Sequence, residues 1–377
     1  MKPVTKKIVW GVAIVAALGV VGAVIGVVVV EVNKNRASNA SSDGSSSNST
    51  SSSSSTNGLN APTATGTSSA PVPTGFTPNP ALHKSFYGMA YTPGGAIMPQ
   101  CGANIANVTK DIQILSQLTT RLRLYGSDCN VTSLVLQAIQ DTQVDIKVFA
   151  AIYLEPEELS YTRQKTILEN ALATYGTTNV LGIAVGNEYV LQAIQAGDTS
   201  ENATTRVVTK MTEVRTDLIA LGYNLPVGTS DAGGTVTQEM VNGADFVFDN
   251  IHPWFSSNTA ETAVTFANSF FTSSAQPLAA ASTRTTTMYQ GEFGWPSGSD
   301  TVGDVNQAGS AASVANLQLV LDNWVCSANT AGTPYFWFSA FDEPWKATTG
   351  LGVEAHWGLM DAEYNLKDIT LPTCLST

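Results

Sequence analysis

Charge is scarce in this 377-residue chain: only 13% of its residues are Asp, Glu, Lys or Arg. Positive charge is the scarcer sign, with 18 Lys and Arg against 30 Asp and Glu. Five of the basic residues (Lys2, Lys6, Lys7, Lys34 and Arg36) lie in the first 36 positions, which leaves 13 basic against 28 acidic residues beyond residue 80, net −15. Such a body repels phosphate backbones, so nucleic acid is excluded as a partner and a neutral ligand is favoured. Histidine is rare too, and the four cysteines form no CxxC pair and show no zinc-type spacing. No metal or other cofactor is expected. Cys101, Cys129, Cys326 and Cys374 instead fit two disulfides formed in an oxidising compartment. Three connectivities are open; proximity in sequence favours Cys101 with Cys129 and Cys326 with Cys374.

Against this sparse background stands one long apolar run, IVWGVAIVAALGVVGAVIGVVVV, residues 8–30, without a charge. At ~1.5 Å rise per residue it is long enough to cross a ~30 Å hydrocarbon layer, and it exceeds the ~7–15 residues of a cleaved signal's apolar region. The expectation is a retained signal-anchor. Lys2, Lys6 and Lys7 precede the run, while Glu31 offsets Lys34 and Arg36 after it, so residues 1–7 form a cytoplasmic tail and the body lies across the membrane. Cleavage of the run would instead make the protein secreted. Residues 31–80 then shift to Ser, Thr, Pro and Gly with almost no large apolar side chain, a disordered and O-glycosylated linker that cannot build a core. Sequons start at Asn39, Asn48, Asn107, Asn130 and Asn202, in keeping with a luminal or extracellular face.

Residues 81–377 read as one domain. Eight short apolar runs recur: 85–91, 121–126, 146–154, 181–188, 226–231, 246–255, 288–295 and 335–345. Between them lie stretches such as RQKTILENALATY and VANLQLVLDNWV, with apolar residues at three- and four-residue steps. Buried strands alternating with amphipathic helices argue for parallel βα units, and eight of them suit a (β/α)₈ TIM barrel. The fifth-to-sixth connection, TQEMVNGA, is short, which makes that unit the weakest.

In a barrel, chemistry collects where strands end and βα loops begin. Glu188 closes the fourth run and Glu292 the seventh, and these ends face each other across the mouth. Two carboxylates across a cleft, one protonated and one ionised, are the minimal apparatus for glycoside hydrolysis. Around Glu292, in QGEFGWPS, Gly291 and Gly294 permit close backbone approach and Trp295 is placed to stack on a sugar ring. Asn187 precedes Glu188 and suits a hydrogen bond to a sugar 2-hydroxyl. Tyr125 suits a hydrogen bond near Glu292, and His252 in HPW suits a structural place or a sugar contact rather than a base. Trp254, Trp337, Trp345 and Trp357 crowd the same ends; some must be core, but an aromatic-lined cleft suits a polymer of neutral sugars.

The stretches RLRLYGSDC, VGNE, NIHPWFS, GEFGWPS and AFDEPWK, in this order, resemble glycoside hydrolase family 17, in its fungal β-1,3-glucanase and glucanosyltransferase branch. The resemblance spans residues 84–370. It implies a (β/α)₈ barrel, retaining cleavage of internal bonds of β-1,3-glucan in the cell wall without metal, Glu188 as proton donor and Glu292 as nucleophile. It also implies that Glu343 and Lys346 line the glycone side of the cleft. Phe293 stands where many members carry Thr, a change beside the acid rather than of it. The expected protein is a monomeric glycosidase on the outer face of the cell membrane. Two other readings remain: a β-1,3-glucanosyltransferase using the same residues, and a non-catalytic wall-glucan-binding protein, which predicts a missing carboxylate.

Overall fold

The computed structural model describes residues 76–301, 304–349 and 351–374. The expected tail and membrane span, and the linker up to residue 75, lie outside the described residues. Among those described, no helix is long and apolar enough to cross a membrane.

Eight strands are laid down in chain order: β1 Met89–Ala90, β2 Arg121–Arg123, β3 Lys147–Ile152, β4 Val180–Val185, β5 Val227–Ala232, β6 Phe246–Asn250, β7 Thr287–Phe293 and β8 Tyr335–Trp337. Each pairs in parallel with its neighbour, and β8 returns to β1 to close the barrel. Every strand overlaps the apolar run from which it was expected. The runs extend past the strand ends because the first loop residues, Asn187, Glu188, His252 and Trp254 among them, are also buried or half-buried.

Nearly every strand residue is buried because both faces of the sheet are covered. Inward-facing rings of Phe149, Phe246, Phe248, Tyr289 and Phe336 fill the barrel, with Phe149 centred 4.8 Å from Phe246 and 5.1 Å from Phe248. Gly228 makes room for this packing: a Cβ there would lie 2.1 Å from the Phe246 carbonyl oxygen. Outside, the helices turn one stripe to the barrel. In Val131–Thr142 the buried residues Val131, Val135, Leu136, Ala138, Ile139 and Thr142 recur at the three- and four-residue steps read from the sequence.

The helix starts are capped by side-chain oxygens that accept orphan backbone N–H groups. Asn104 accepts from Asn107 N (3.1 Å) and Ser313 from Asn316 N (3.2 Å). The short β5–β6 connection forms a helix of only six residues, Gln238–Gly243, capped by Thr237. Cys101 pairs with Cys129 and Cys326 with Cys374, the connectivity that proximity favoured. The first ties the β1 loop to the β2 loop, and the second ties the helix Val314–Ala331 to the C-terminal segment.

Candidate active site

The aromatic rings plug the barrel below, so its C-terminal mouth carries the cleft, of about 490 Å³, lined by Tyr125, Asn187, Glu188, His252, Glu292 and Lys346 among others. Local backbone geometry aims both carboxylates into it. Glu188 follows β4 in the left-handed region (φ 53°), a conformation that a non-glycine residue adopts only when its surroundings hold it there. The hold comes from Asp231, at 0% exposure, which accepts from Val190 N (2.8 Å), Leu191 N (3.3 Å) and Ala232 N (3.0 Å). These bonds lock the helix Tyr189–Gln195 against the end of β5 with Glu188 at its start. On the far side, the β6–β7 register slips between Asp249 and Asn250, so Asn250 pairs with Glu292 rather than Gly291. The slip turns the Glu292 side chain onto the inward face that Asn250 shares.

One arginine binds the two sides. Arg123, 1% exposed, donates from Nη1 to Asn250 Oδ1 (2.9 Å) and to the Gly291 carbonyl (2.6 Å). From Nη2 it donates to Asn187 Oδ1 (2.7 Å) and Ser230 Oγ (2.6 Å). Its Nη1 also lies 3.3 Å from Glu292 Oε1. Asn250 completes the chain by donating from Nδ2 to Glu188 Oε1 at 3.1 Å. His252 Nε2 sits 2.7 Å from Glu292 Oε2.

These surroundings pull the carboxyls apart. Burial pushes Glu188 up to about 7, and the charge of Glu292 adds to the rise, against the hydrogen bond from Asn250. Burial acts the same way on Glu292, but the charge of Arg123 and the bond to His252 outweigh it and hold Glu292 at about 2. Burial raises the Tyr125 phenol, with a further push from Glu292, and so keeps it a donor.

The carbonyl of Asn187 is taken by Arg123 and by Ser230 Oγ (3.1 Å), which leaves its NH₂ as the group to offer a ligand. Lys346 lines the cleft, with Nζ 2.6 Å from Glu343 Oε2; Glu343 sits behind it rather than in the cleft wall. Burial works to lower the Lys346 ammonium, but Glu343 and Glu354 raise it and keep it charged.

Trp295 is not where its motif placed it. Its side chain is fully buried, donates to the Ala311 carbonyl (3.1 Å) and packs edge-on against Trp254 (5.3 Å). Beyond the β7 bulge it turns away from the mouth, so it cannot stack on a sugar. Trp345 and Trp357 line the cleft instead.

Arg123, Asn250 and Glu354 were not singled out from the sequence. Arg123 did leave a signal: an arginine at an inward position of a barrel strand, RLRLYG, must have buried partners. Asn250, at the end of β6, and Glu354, a loop acid, left none, since an amide and an acid are ordinary in sequence.

Residues 88–358 match the family model described as the BtgE/BtgC glycoside hydrolase domain. The chain belongs to this family. The probable glucan endo-1,3-beta-glucosidase btgC of Aspergillus flavus is 36% identical over 311 residues, covering 78% of this chain and 45% of the relative. The chain thus spans less than half the length of this curated relative. Among solved structures, the glycoside hydrolase family 17 β-1,3-glucanosyltransferase of Rhizomucor miehei is 26% identical, with TM-score 0.62 over 77% of this chain and 98% of that one. An active-site mutant of the Rhizomucor enzyme in complex with laminaritriose gives 25% identity and TM-score 0.63 over the same shares. The family-17 resemblance read from the motifs is borne out, as is the barrel.

Proposed function

We propose that the domain cleaves internal β-1,3-glucosidic bonds of a cell-wall glucan with retention, through a covalent glycosyl-enzyme. The observation that carries this reading is the opposite poise of two carboxylates in one cleft, Glu188 at about 7 and Glu292 at about 2. The names of the relatives supply the substrate class.

In the first step ionised Glu292 attacks the anomeric carbon, the glycosidic C–O bond breaks, and the leaving oxygen takes the proton of Glu188. Ester formation then removes the negative charge of Glu292. Since that charge helps to raise Glu188, its loss lowers the pKa of Glu188 and turns the spent acid into the base of the second step. There Glu188 takes a proton from water, the water oxygen attacks the anomeric carbon, and Glu292 departs as carboxylate. Two inversions give retention. The NH₂ of Asn187 and the protonated Tyr125 serve as donors toward the reacting sugar, and Lys346, backed by Glu343, binds glycone hydroxyls.

The test is purified protein on defined β-1,3-linked glucose oligomers, with product sizing and anomeric analysis. The expected result is internal cleavage with a first-formed β product. A first-formed α product, or no cleavage of an otherwise folded protein, overturns the reading. A second outcome, transfer to another sugar, uses the same first step and is supported by the name of the Rhizomucor relative.

We also propose that residues 8–30 anchor the domain to the cell membrane, with the barrel facing the wall. Protease added to wall-less cells should remove the barrel and spare an N-terminal tag; a mature N-terminus near residues 31–40 would show secretion instead.

A further inference from the structure

The inward row that Arg123 gathers has a counterpart on the other face of the same three strands. Arg123 bonds Ser230 on β5, Asn250 on β6 and the Gly291 carbonyl on β7. Side chains alternate along a strand, so the chain neighbours of these residues, Asp231, Asp249 and Gln290, point outward. The register sets the three side by side: Asp231 pairs with Asp249, and Asp249 with Gln290. All are buried under the outer layer, at 0%, 1% and 0% exposure. Two carboxyls and an amide thus stand in line, one residue away from the inward row.

The two carboxyls are served very differently. Asp231 accepts from Val190 N, Leu191 N, Ala232 N and Thr235 Oγ1, a set of donors that suits a charged carboxylate. Among the described residues, neither oxygen of Asp249 has a hydrogen-bond partner in the protein, and neither end of the Gln290 amide has one. The charged group that acts on Asp249 is Asp231, of the wrong sign to compensate it. From β7 it faces the neutral Gln290. On the side of the β5 loop, a Cβ on Gly233 would lie 3.0 Å from Asp249 Oδ1 and 2.6 Å from the Phe270 ring, so an apolar ring closes that side. An anion at Asp249 would be buried, unpaired and beside a second anion. We propose that Asp249 is a positioning residue for the reaction, a neutral carboxylic acid that holds the ends of β5, β6 and β7 in register behind the inward row. The inference rests on the retaining glucanase reading above.

Burial pushes the Asp249 carboxyl well above the ordinary range, and the charge of Asp231 adds to the rise. A protonated carboxyl offers a donor and an acceptor to the facing amide, whereas a carboxylate offers no donor to the amide oxygen. Neutrality also leaves Asp231 as the single anion of the row. That anion clamps the start of the helix Tyr189–Gln195, and it adds to burial and to the charge of Glu292 in raising the Glu188 carboxyl. A second charge, on Asp249, would push β6 from β5. Ser230 and Asn250, the adjoining residues, would part, and Arg123 bonds both. Arg123 lies 3.3 Å from Glu292, and Asn250 donates to Glu188 at 3.1 Å, so both acids would lose their setting. Asp249 is not one of the residues lining the cleft, so it acts on the chemical step and not on binding of the sugar.

The first test is carbon-13 NMR of the full chain, with the Asp249 carboxyl assigned by the peak that Asp249→Asn removes. At pH 6, about two units above the ordinary aspartate value, that peak should still have the shift of a protonated acid. A carboxylate shift there overturns the proposal and leaves the glucanase reading standing. Denaturant melts give a second readout. The folded pKa of Asp249 lies above the unfolded one, so the native state keeps a proton that the unfolded chain gives up as pH rises. Above about pH 4 the wild-type folding constant should therefore fall relative to that of Asp249→Asn, by up to about tenfold per pH unit. Parallel pH slopes overturn the proposal. Cleavage of a β-1,3-linked glucose pentamer reports the positioning. Asp249→Val removes every polar atom of the side chain and should lower kcat about tenfold with KM within about twofold, and Asp249→Asn should recover about a third or more of the wild-type kcat. Folded Asp249→Val protein with the wild-type kcat overturns the positioning role; if that variant fails to fold, the NMR shift and the Asp249→Asn melts decide. Folded wild-type protein that does not cleave the pentamer overturns the glucanase reading and the positioning role with it.

Discussion

The donor side of the cleft and its nucleophile side are built on the same residue type and differ in what surrounds it. Glu188 has burial, one amide donor and a neighbouring negative charge, and its carboxyl rises to about 7. Glu292 is buried too, yet it has the guanidinium of Arg123 at 3.3 Å and His252 at 2.7 Å, and it falls to about 2. Burial alone therefore does not set a role. The sign and position of the nearest partner decide it, and here one arginine reaches one carboxylate directly and the other only through Asn250.

The largest effect should come from deleting the ionised member. Glu292→Gln removes the nucleophile, and activity on every glucan should fall on the order of 10⁴-fold or more. Glu188→Ala should differ in kind: a glycosyl fluoride still forms the ester on Glu292, and added azide restores turnover with retained configuration. Inverted product from the azide-treated Glu188→Ala protein would show the two roles to be exchanged.

Next in size is the removal of the asymmetry itself. Arg123→Met takes away the charge that holds Glu292 down and orphans Asn187 and Ser230. We expect a loss on the order of 10²- to 10³-fold in kcat/KM and an acid limb of the pH profile displaced upward, toward the ordinary carboxylate range. An unmoved acid limb would mean that Arg123 is only structural.

Smaller, but specific in sign, is the coupling between the sides. Activity should fall as pH rises through about 7, where Glu188 loses its proton. In Glu292→Gln the Glu188 carboxyl, followed by carbon-13 NMR, should titrate lower than in wild type because a negative neighbour is gone. Stability gives a second readout. The folded pKa of Glu188 lies above its unfolded value, so the native state binds the extra proton between them and stability falls as pH rises through that window. Glu188→Gln should therefore raise Tm at pH 8 relative to wild type and change it least at pH 4.

The smallest effect on the comparison should come from Trp295, which stands just past the end of the nucleophile's strand but faces the core. Trp295→Ala should cost about 3–5 kcal/mol of stability as a cavity, seen in denaturant melts, with both pH limbs and KM unchanged. A raised KM with unaltered stability would return Trp295 to the cleft.

Much of this was legible in the chain. Alternating apolar runs and three- and four-step stripes express local rules, period two for strands and 3.6 for helices, so the order of elements, the barrel and the strand-end positions of Glu188 and Glu292 could be read directly. The disulfide pairs followed from proximity. Trp295 misled because a motif gives a residue's neighbours along the chain but not the face it turns to, and the register slips in β7 reset that face. Arg123, 65 residues before Glu188 and 169 before Glu292, shows the other limit. Its partners come from the loop after β4 (Asn187), β5 (Ser230), β6 (Asn250) and β7 (Gly291 and Glu292), and no local pattern records which inward side chains will meet when a barrel closes. Sequence alone determined the fold class and which two acids stand at opposing strand ends, because periodicity and position are properties of the chain. The tertiary structure alone decided which acid holds its proton and which gives it up, because a pKa is set by burial and by charges a few ångströms away in space.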